Sequence, residues 1–514
     1  MTPEEVDQLS EELFGVRPNE PRPAPLPREP FAPAGQVLVE RVAARPGGIA
    51  MTALALHLQT DLGNAERLVS LFGDRIRYSH ERKCWLVWNG RVWRQDAAGD
   101  VVELCKLAAK SIYIEAGKAS DEDAAALASW ATKSQSRQHL TAMNALAKSM
   151  EAVRVSVADL DRDRSLLNTP SGTLDLRTGV LRSHRRRDLI TKSTSVPFDP
   201  RATCPTWHAF LARVMGDDPE MIAYLRRAVG YAATGESIEQ VAFFLHGTGS
   251  NGKSTFLETV NRVLGEYATA TRAATIMDRG PDRGGPEPEI VALVGARYVN
   301  VTEFKEDGRL DEGRLKALTG GDTIVARTLH AEPFEFEPEF KLFLGTNHKP
   351  LIRGTDNGIL RRVHLIPFDV QIPDDERDMR LPEKLGAELP GILAWVVAGA
   401  VEWYASGLQA PRKVLAATAD YRSAMDALAA FLADEAVIAP RAEAPAEALY
   451  RAYVAWSEKT GERVMGQRAL ALRLGERGFK SEHRRTGNVW VGIGVRLPVD
   501  GPVVPSASNL LNVA

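Results

Sequence analysis

Residues 241–255, VAFFLHGTGSNGKST, break a short apolar run with a glycine-rich turn and resume in residues suited to a helix. Gly247, four spacers, then Gly252, Lys253 and Ser254 fit the pattern G-x-x-x-x-G-K-[ST], and the run from Val241 to Leu245 supplies the strand that must precede it. Glycine here lets backbone N–H groups turn toward an anion, and a helix starting near Lys253 aims its positive end at the same place. The spacing predicts a phosphate cradle built from Gly247, Thr248, Gly249, Ser250, Asn251, Gly252, Lys253, Ser254 and Thr255 in an α/β fold. Lys253 would add a point charge to the phosphates of ATP, and the Ser254 hydroxyl would join the shell of a Mg²⁺ that keeps most of its water.

The chain beyond the cradle is equally ordered. Residues 297–303, RYVNVTE, read as a strand ending on Glu303, an acid that would polarise the attacking water or hold the metal. Thr302 fills the place of a second acid, so Glu303 serves alone or Asp307 or another acid helps. Residues 311–319 read as a helix; TIVARTL and PFEFEPE then pair as a projecting hairpin whose tip spans 329–332. The apolar strand 340–344 leads to Asn347, whose amide would orient the water attacking the γ-phosphate. Arg361 and Arg362 precede the strand 363–368, and one of them would reach a neighbouring subunit's nucleotide as an arginine finger.

A chain of 514 residues with 44% apolar content has room for three or four domains with real cores. Its net charge of −3 means that any nucleic-acid surface must be local. Cys84, Cys105 and Cys204 form no C-x-x-C pair, which suits a reducing compartment and argues against zinc. No signal peptide is expected, and the apolar run 391–401 is too short to span a bilayer. Seven prolines between Arg17 and Ala34 predict an extended linker. Leu62, Ala65, Leu68, Val69 and Phe72 recur at helical spacing, with Asp61 or Asn64 as cap. In CWLVWNGRVWR, Asn89 and Gly90 predict a type I′ turn between two strands, whose Trp85, Trp88 and Trp93 either stack on bases or fill a small core. Helical patterns run over 101–117, 121–133 and 137–152, and 168–187 reads as a hairpin with Arg182, Arg185, Arg186 and Arg187 at its solvated end, a candidate DNA contact. Two helices, 206–215 and 219–234, lead into the cradle, and helices 389–408 and 411–437 come after the motor segment. The stretches 447–459, 466–477, 479–483 and 488–495 read as helix, helix and wing, with Leu470 and Leu474 inward and Arg468, Arg473, Arg477, Arg484 and Arg485 outward.

Taken in order, GTGSNGKST, the strand-end Glu303, LKALTGGDTIVARTLH, FKLFLGTN and DNGILRRVHLIPF make the chain resemble the superfamily 3 helicases, specifically the phage/plasmid and poxvirus-type primase-helicases, over roughly residues 60–410. The resemblance implies a P-loop, AAA+-like ATPase core (201–375), a mainly helical N-terminal domain (53–200), a helical segment (376–440) and a winged-helix domain (441–498), between a Pro-rich segment (1–52) and a tail (499–514). It implies that Gly252, Lys253, Ser254 and Thr255 bind ATP and Mg²⁺, that Glu303 is catalytic and that Asn347 is the sensor. Arg361 or Arg362 would be the finger, with Arg327 a further candidate. Lys316, Arg327 and His330 fall in the family's DNA-contacting segment, whose hairpin tracks single-stranded DNA inside a hexameric ring. The expected function is ATP-dependent unwinding of duplex DNA during replication of a phage, plasmid or related element in a bacterial host's cytoplasm. Expected partners are single-stranded and forked DNA, further copies of the chain, and a separate primase or origin-binding protein; no membrane is expected.

Two alternatives stand beside this. SVADLDRD at 156–163, with Ser183 and His184 downstream, is similar to the metal site of archaeo-eukaryotic-type primases, and Asp159 with Asp161 would then hold Mg²⁺. The segment comes after helices rather than a sheet, however, and reads as a capped turn. With only about 50 residues ahead of Ala53 where a primase domain often stands, no primer synthesis is expected. The other alternative is a non-catalytic initiator whose ATP only drives assembly on origin DNA, which hydrolysis-dependent strand displacement would separate from a helicase.

Overall fold

The computed structural model describes residues 57–278, 287–302, 309–327, 333–350, 352, 357–424, 427–461, 464–485 and 487–496. The chain falls into two compact units that divide between Ala417 and Thr418. The first unit opens with α1 (Asp61–Phe72), β1 (Ile76–Ser79), β2 (Cys84–Trp88), β3 (Trp93–Gln95), α2 (Asp100–Ala116), α3 (Asp121–Ser134) and α4 (Arg137–Ala147). Thr60, rather than Asp61 or Asn64, caps α1, accepting a hydrogen bond from the Gly63 N–H. Asn64 is fully buried instead, donating to Ser134 Oγ at 2.9 Å and accepting from Trp130 Nε1 at 3.1 Å, so it ties α1 to α3.

The three antiparallel strands β1, β2 and β3 pack their tryptophans inward: Trp85, Trp88 and Trp93 are 7%, 7% and 1% exposed. They fill cores, and burial this deep removes them as platforms for bases. Between β2 and β3, the pairing of Trp88 with Trp93 leaves a four-residue loop rather than a two-residue turn. Only Gly90 takes the positive φ (96°), while the Asn89 carboxamide oxygen accepts from the Arg91 and Val92 N–H groups.

Segment 156–163 forms no carboxylate pair facing a common centre. Ser156 and Asp159 make a reciprocal capping box, and Asp161 accepts from the Thr191 N–H at 2.8 Å and from the Thr191 hydroxyl. A meander comes next: β4 (Leu166–Thr169), β5 (Gly172–Asp175) and β6 (Val180–Arg182). Arg182 pairs with Asp188 at 2.6 Å, and Arg186 pairs with Asp74 at 2.5 Å.

Helices α5 (Pro205–Met215) and α6 (Pro219–Ala233) lead into the central sheet and its surroundings: β7 (Ala242–His246), α7 (Lys253–Leu264), β8 (Ala268–Arg272), α8 (Pro288–Val291), β9 (Tyr298–Thr302), α9 (Glu312–Gly320), β10 (Ile324–Ala326), β11 (Phe334–Phe336), β12 (Lys341–Thr346), α10 (Asn357–Leu360), β13 (Val363–Pro367), α11 (Leu381–Ala387), α12 (Leu389–Ser406) and α13 (Arg412–Ala424). Five strands run parallel in the order β13-β7-β12-β9-β8. The core residues Ala242, Phe243, Phe244 and Leu245 are all fully buried, as a parallel strand covered on both faces requires. Antiparallel β10 and β11 form the expected hairpin.

Helix α12 is long and apolar enough to cross a membrane, but most of it is buried within the protein against α6. The two helices touch backbone to backbone: a Cβ on Gly230 would lie 2.1 Å from the Ala400 nitrogen, and one on Gly399 would lie 2.1 Å from the Arg226 carbonyl oxygen. Two buried cations close the C-terminal end of α6, where carbonyls point outward and the helix dipole is negative. Arg297 donates to the Ala233 and Leu166 carbonyls at 3.0 and 2.8 Å, and Lys341 to those of Thr234, Glu236 and Glu339.

The second unit contains α14 (Ala427–Glu435), β14 (Ala436–Pro445), α15 (Ala446–Thr460), α16 (Gln467–Glu476), β15 (Lys480–Arg484) and β16 (Gly487–Val495). Strand β14 replaces the helical expectation at Ala436 and Val437. Its sequence, AVIAPRAEAP, carries two prolines, which an edge strand tolerates; it is the edge of β14-β16-β15, and its register shifts between Ile438 and Glu443. Leu470 and Leu474 are buried in this unit's core with Tyr453, Trp456 and Trp490, while Arg468, Arg484 and Arg485 are exposed.

Candidate phosphate-binding site

The loop leaving β7 returns the chain sharply into α7, and its conformation explains its residues. Gly249 and Gly252 take φ of 104° and 82°, and Ser250 joins them at 51°. A Cβ on Gly247 would meet Asn251 Nδ2 at 2.1 Å and the Phe368 carbonyl oxygen at 2.3 Å; one on Gly252 would meet Val214 Cγ1 at 2.6 Å. Gly252 caps α7 without any side-chain hydrogen bond, which leaves the first-turn N–H groups of α7 open toward the loop.

Lys253 is 7% exposed, and its ammonium donates to the Gly247 carbonyl at 2.7 Å, Asn251 Oδ1 at 2.9 Å and Asn347 Oδ1 at 3.0 Å. All three N–H donors are therefore aimed at oxygen. Burial pulls its pKa down from 10.5 to about 8. Asn251 in turn donates to the Phe368 carbonyl at 3.0 Å, linking the loop to the end of β13. Thr248 and Ser254 are exposed and Thr255 is half-buried.

Asn347 arrives because β12 lies parallel beside β7, with Thr346 opposite His246. The chain leaves β7 through α7 toward β8 at the far edge, works back through β9 to β12, then crosses to β13 on the other side of β7. The carboxyl ends of β7 and β12 thus border a crevice where connections diverge, the usual ligand position in an open parallel sheet. Strand β9 ends at Thr302; Glu303 and Asp307 lie outside the described residues, as do His330 and its neighbours Leu329 and Ala331.

The two arginines before β13 have different surroundings. Arg361 is exposed. Arg362 is 8% exposed, donates to Thr319 Oγ1 at 3.2 Å and has its pKa lowered, first by burial and then by Arg361, against the opposing pull of Asp322. Lys316 lies half-buried on α9, and Arg327 is exposed just past β10. Sequence reasoning missed Arg377, which donates to Ser250 Oγ in the loop and pairs with Asp374 at 2.8 Å. Nothing in DVQIPDDERDMR singles it out, because only the fold brings 369–380 over the loop; the Ile372 N–H also donates to the Ser250 carbonyl at 2.8 Å.

Fold and site together define a parallel α/β protein with a lysine-bearing glycine loop at its sheet crevice. Residues 65–216 match a family model described as D5 N terminal like, and residues 245–362 match that of a family of unknown function (DUF5906). Among curated relatives, a protein of Acanthamoeba polyphaga mimivirus named "Putative helicase L207/L206" is 27% identical over 297 residues, covering 54% of this chain and 31% of the relative. "Putative helicase 022R" of Frog virus 3 is 34% identical over 167 residues, covering 31% of this chain and 17% of the relative. "Primase D5" of Fowlpox virus is 24% identical over 144 residues, covering 27% and 18%. The chain thus spans about a third or less of the length of these relatives. A solved structure, the apo C-terminal region of NrS-1, is similar at 11% identity and a TM-score of 0.43, covering 70% of this chain and 75% of that one. Over these stretches the chain is similar to D5-like primase-helicases.

Proposed function

We propose that the chain is the motor of an ATP-dependent DNA helicase of superfamily 3, acting in the replication of a phage, plasmid or related mobile element. The observation that carries this reading is the meeting of Lys253 and Asn347 across neighbouring parallel strands. A phosphate chain in the loop would draw the ammonium from its three oxygens, and the released Asn347 carboxamide would be free to orient water. Lys253 thereby couples nucleotide occupancy to the residue proposed to position the nucleophile. The donor set fits a triphosphate: open N–H groups at the start of α7, a buried cation, and glycine where a Cβ would fill the cradle. Ser254, with Glu303 beyond β9, would hold Mg²⁺, which supplies charge to the phosphates.

Arg361, exposed beside the buried Arg362, is the better-placed finger for a neighbouring subunit's nucleotide, which supports a ring of copies, proposed as a hexamer. Lys316, Arg327 and His330 are the proposed contacts to single-stranded DNA. The C-terminal unit, with paired helices and a β15–β16 hairpin, is proposed as a winged helix acting on duplex DNA. The test is Lys253→Ala, measured by ATPase rate and unwinding of a forked duplex. Both should disappear; ATPase within a few-fold of the unaltered chain would remove the cradle assignment.

A further inference from the structure

Away from the loop, β2, β3 and the segment 189–195 enclose a cleft of about 280 Å³ together with the turn at Glu266 just past α7. Its floor is apolar, since Leu86 and Trp93 are 2% and 1% exposed. Its walls are cationic, with Arg82, Arg94 and Lys192 against one lining acid, Glu266, and with Asp161 and Glu339 near enough to act on Lys192. Arg94 pairs with Glu266 at 2.7 Å, but Arg82 and Lys192 have no ion-pair partner among the described residues. Lys192 is half-buried, and burial lowers its pKa against the opposing pull of Asp161, Glu339 and Glu266. The surrounding sequence has the same bias: residues 74–95 carry six Lys or Arg against two acids, and 182–192 carry five against one, in a chain whose net charge is −3.

We propose that this cleft is a second phosphate site, which takes a phosphodiester of single-stranded nucleic acid. Three features choose that class. The charge calls for an anion, and a concave cleft of this size admits a flexible backbone but not the convex, rigid face of a duplex. The buried Trp93 and Leu86 offer no ring face for stacking, so recognition is of backbone and indifferent to sequence. An arriving phosphate competes with Glu266 for Arg94, and Glu266 keeps a partner in the Ser193 N–H at 2.9 Å, so displacing it leaves no stranded charge. This inference stands apart from the nucleotide loop, because it needs neither ATP nor Mg²⁺.

Cys84 lines the cleft and is partly exposed, whereas Cys105 and Cys204 are 0% and 4% exposed, so alkylation of Cys84 in the full chain reports occupancy directly. The probes are a dT oligomer and dTMP, without ATP or Mg²⁺, at low salt. The oligomer should slow Cys84 alkylation at least about fivefold, and dTMP should need a concentration about a hundred times higher, because neighbouring phosphates of one strand act together. Lys192→Gln should raise the half-protecting oligomer concentration about tenfold and reduce its salt dependence, and Lys192→Arg should restore both. Protection by dTMP equal to that by the oligomer would make this a free-nucleotide site and overturn the strand assignment. No protection by either probe, or protection unchanged in Lys192→Gln, would overturn the site itself.

Discussion

With nucleotide bound in the loop as proposed, the buried state of Lys253 makes ADP binding proton-linked. Its folded pKa of about 8, against the ordinary 10.5, means that the free protein holds the ammonium about 90% protonated at pH 7, about half at pH 8 and about a tenth at pH 9. Nucleotide phosphates favour the charged form and return the pKa toward its ordinary value. Affinity therefore tracks the protonated fraction: Kd for ADP should rise about twofold from pH 7 to 8 and about tenfold by pH 9, worth about 1.4 kcal/mol. Binding should take up about half a proton at pH 8 and about 0.9 at pH 9. Titration calorimetry with ADP and a chelator, in two buffers of different ionisation heat, measures both without any metal contribution. Lys253→Arg, which does not titrate in this range, should bind with no such slope. In the free protein the stability sign is the same as that of a paired carboxylate, because both have a folded pKa below the unfolded one: the unfolded chain keeps this proton to about 10.5, so folding stability increases from about pH 8 to 10.5. A flat Kd between pH 7 and 9 with no proton uptake would refute the buried-ammonium account.

Three further outcomes are expected. Arg361→Ala should abolish ATPase with an unchanged melting temperature and regain activity when mixed with Lys253→Ala subunits, whereas Arg362→Ala should destabilise the fold by about 1–3 kcal/mol because Thr319 and Asp322 lose a buried partner; the reverse pattern in ATPase and thermal unfolding would exchange their roles. Gly252→Ala should weaken ATP binding at least about tenfold, since a methyl at φ 82° would strike Val214 and Phe210; equilibrium nucleotide binding checks it. His330→Ala should retain basal ATPase but lose strand displacement, and fork unwinding at the normal rate would remove His330 from the DNA path.

Local chemistry determined how much could be read in advance. The loop, β9, α9, the β10–β11 hairpin, β12 and β13 were legible because each joins an apolar run to a glycine, proline or polar stop. The capped turn at Asp159 was legible for the same reason. Strand β14 was not, because Ala436, Val437 and Ile438 fit either state until β16 supplies hydrogen-bond partners. Asn64 looked like a cap by residue type, yet tertiary burial gave it Ser134 and Trp130. At the site, Lys253 and Asn347 were legible as residues, but their contact was not; it depends on the parallel register of β7 and β12. Arg377 had no sequence signal at all, and Arg361 and Arg362 could not be separated before Thr319 and Asp322 were seen around one of them.

The glycine crossing of α6 and α12 also imposes a timetable on the ribosome. Gly230 and Gly399 are about 170 residues apart, so at about 5–20 residues per second the nascent chain waits about 10–30 s between making one helix and making its partner. Throughout that interval Gly230 and the backbone at Arg226, which meet Gly399 and Ala400 in the finished protein, have no α12 against them. A messenger cut or stalled between those codons yields the glycine loop on an open core, a product for chaperones and proteases rather than a smaller working protein.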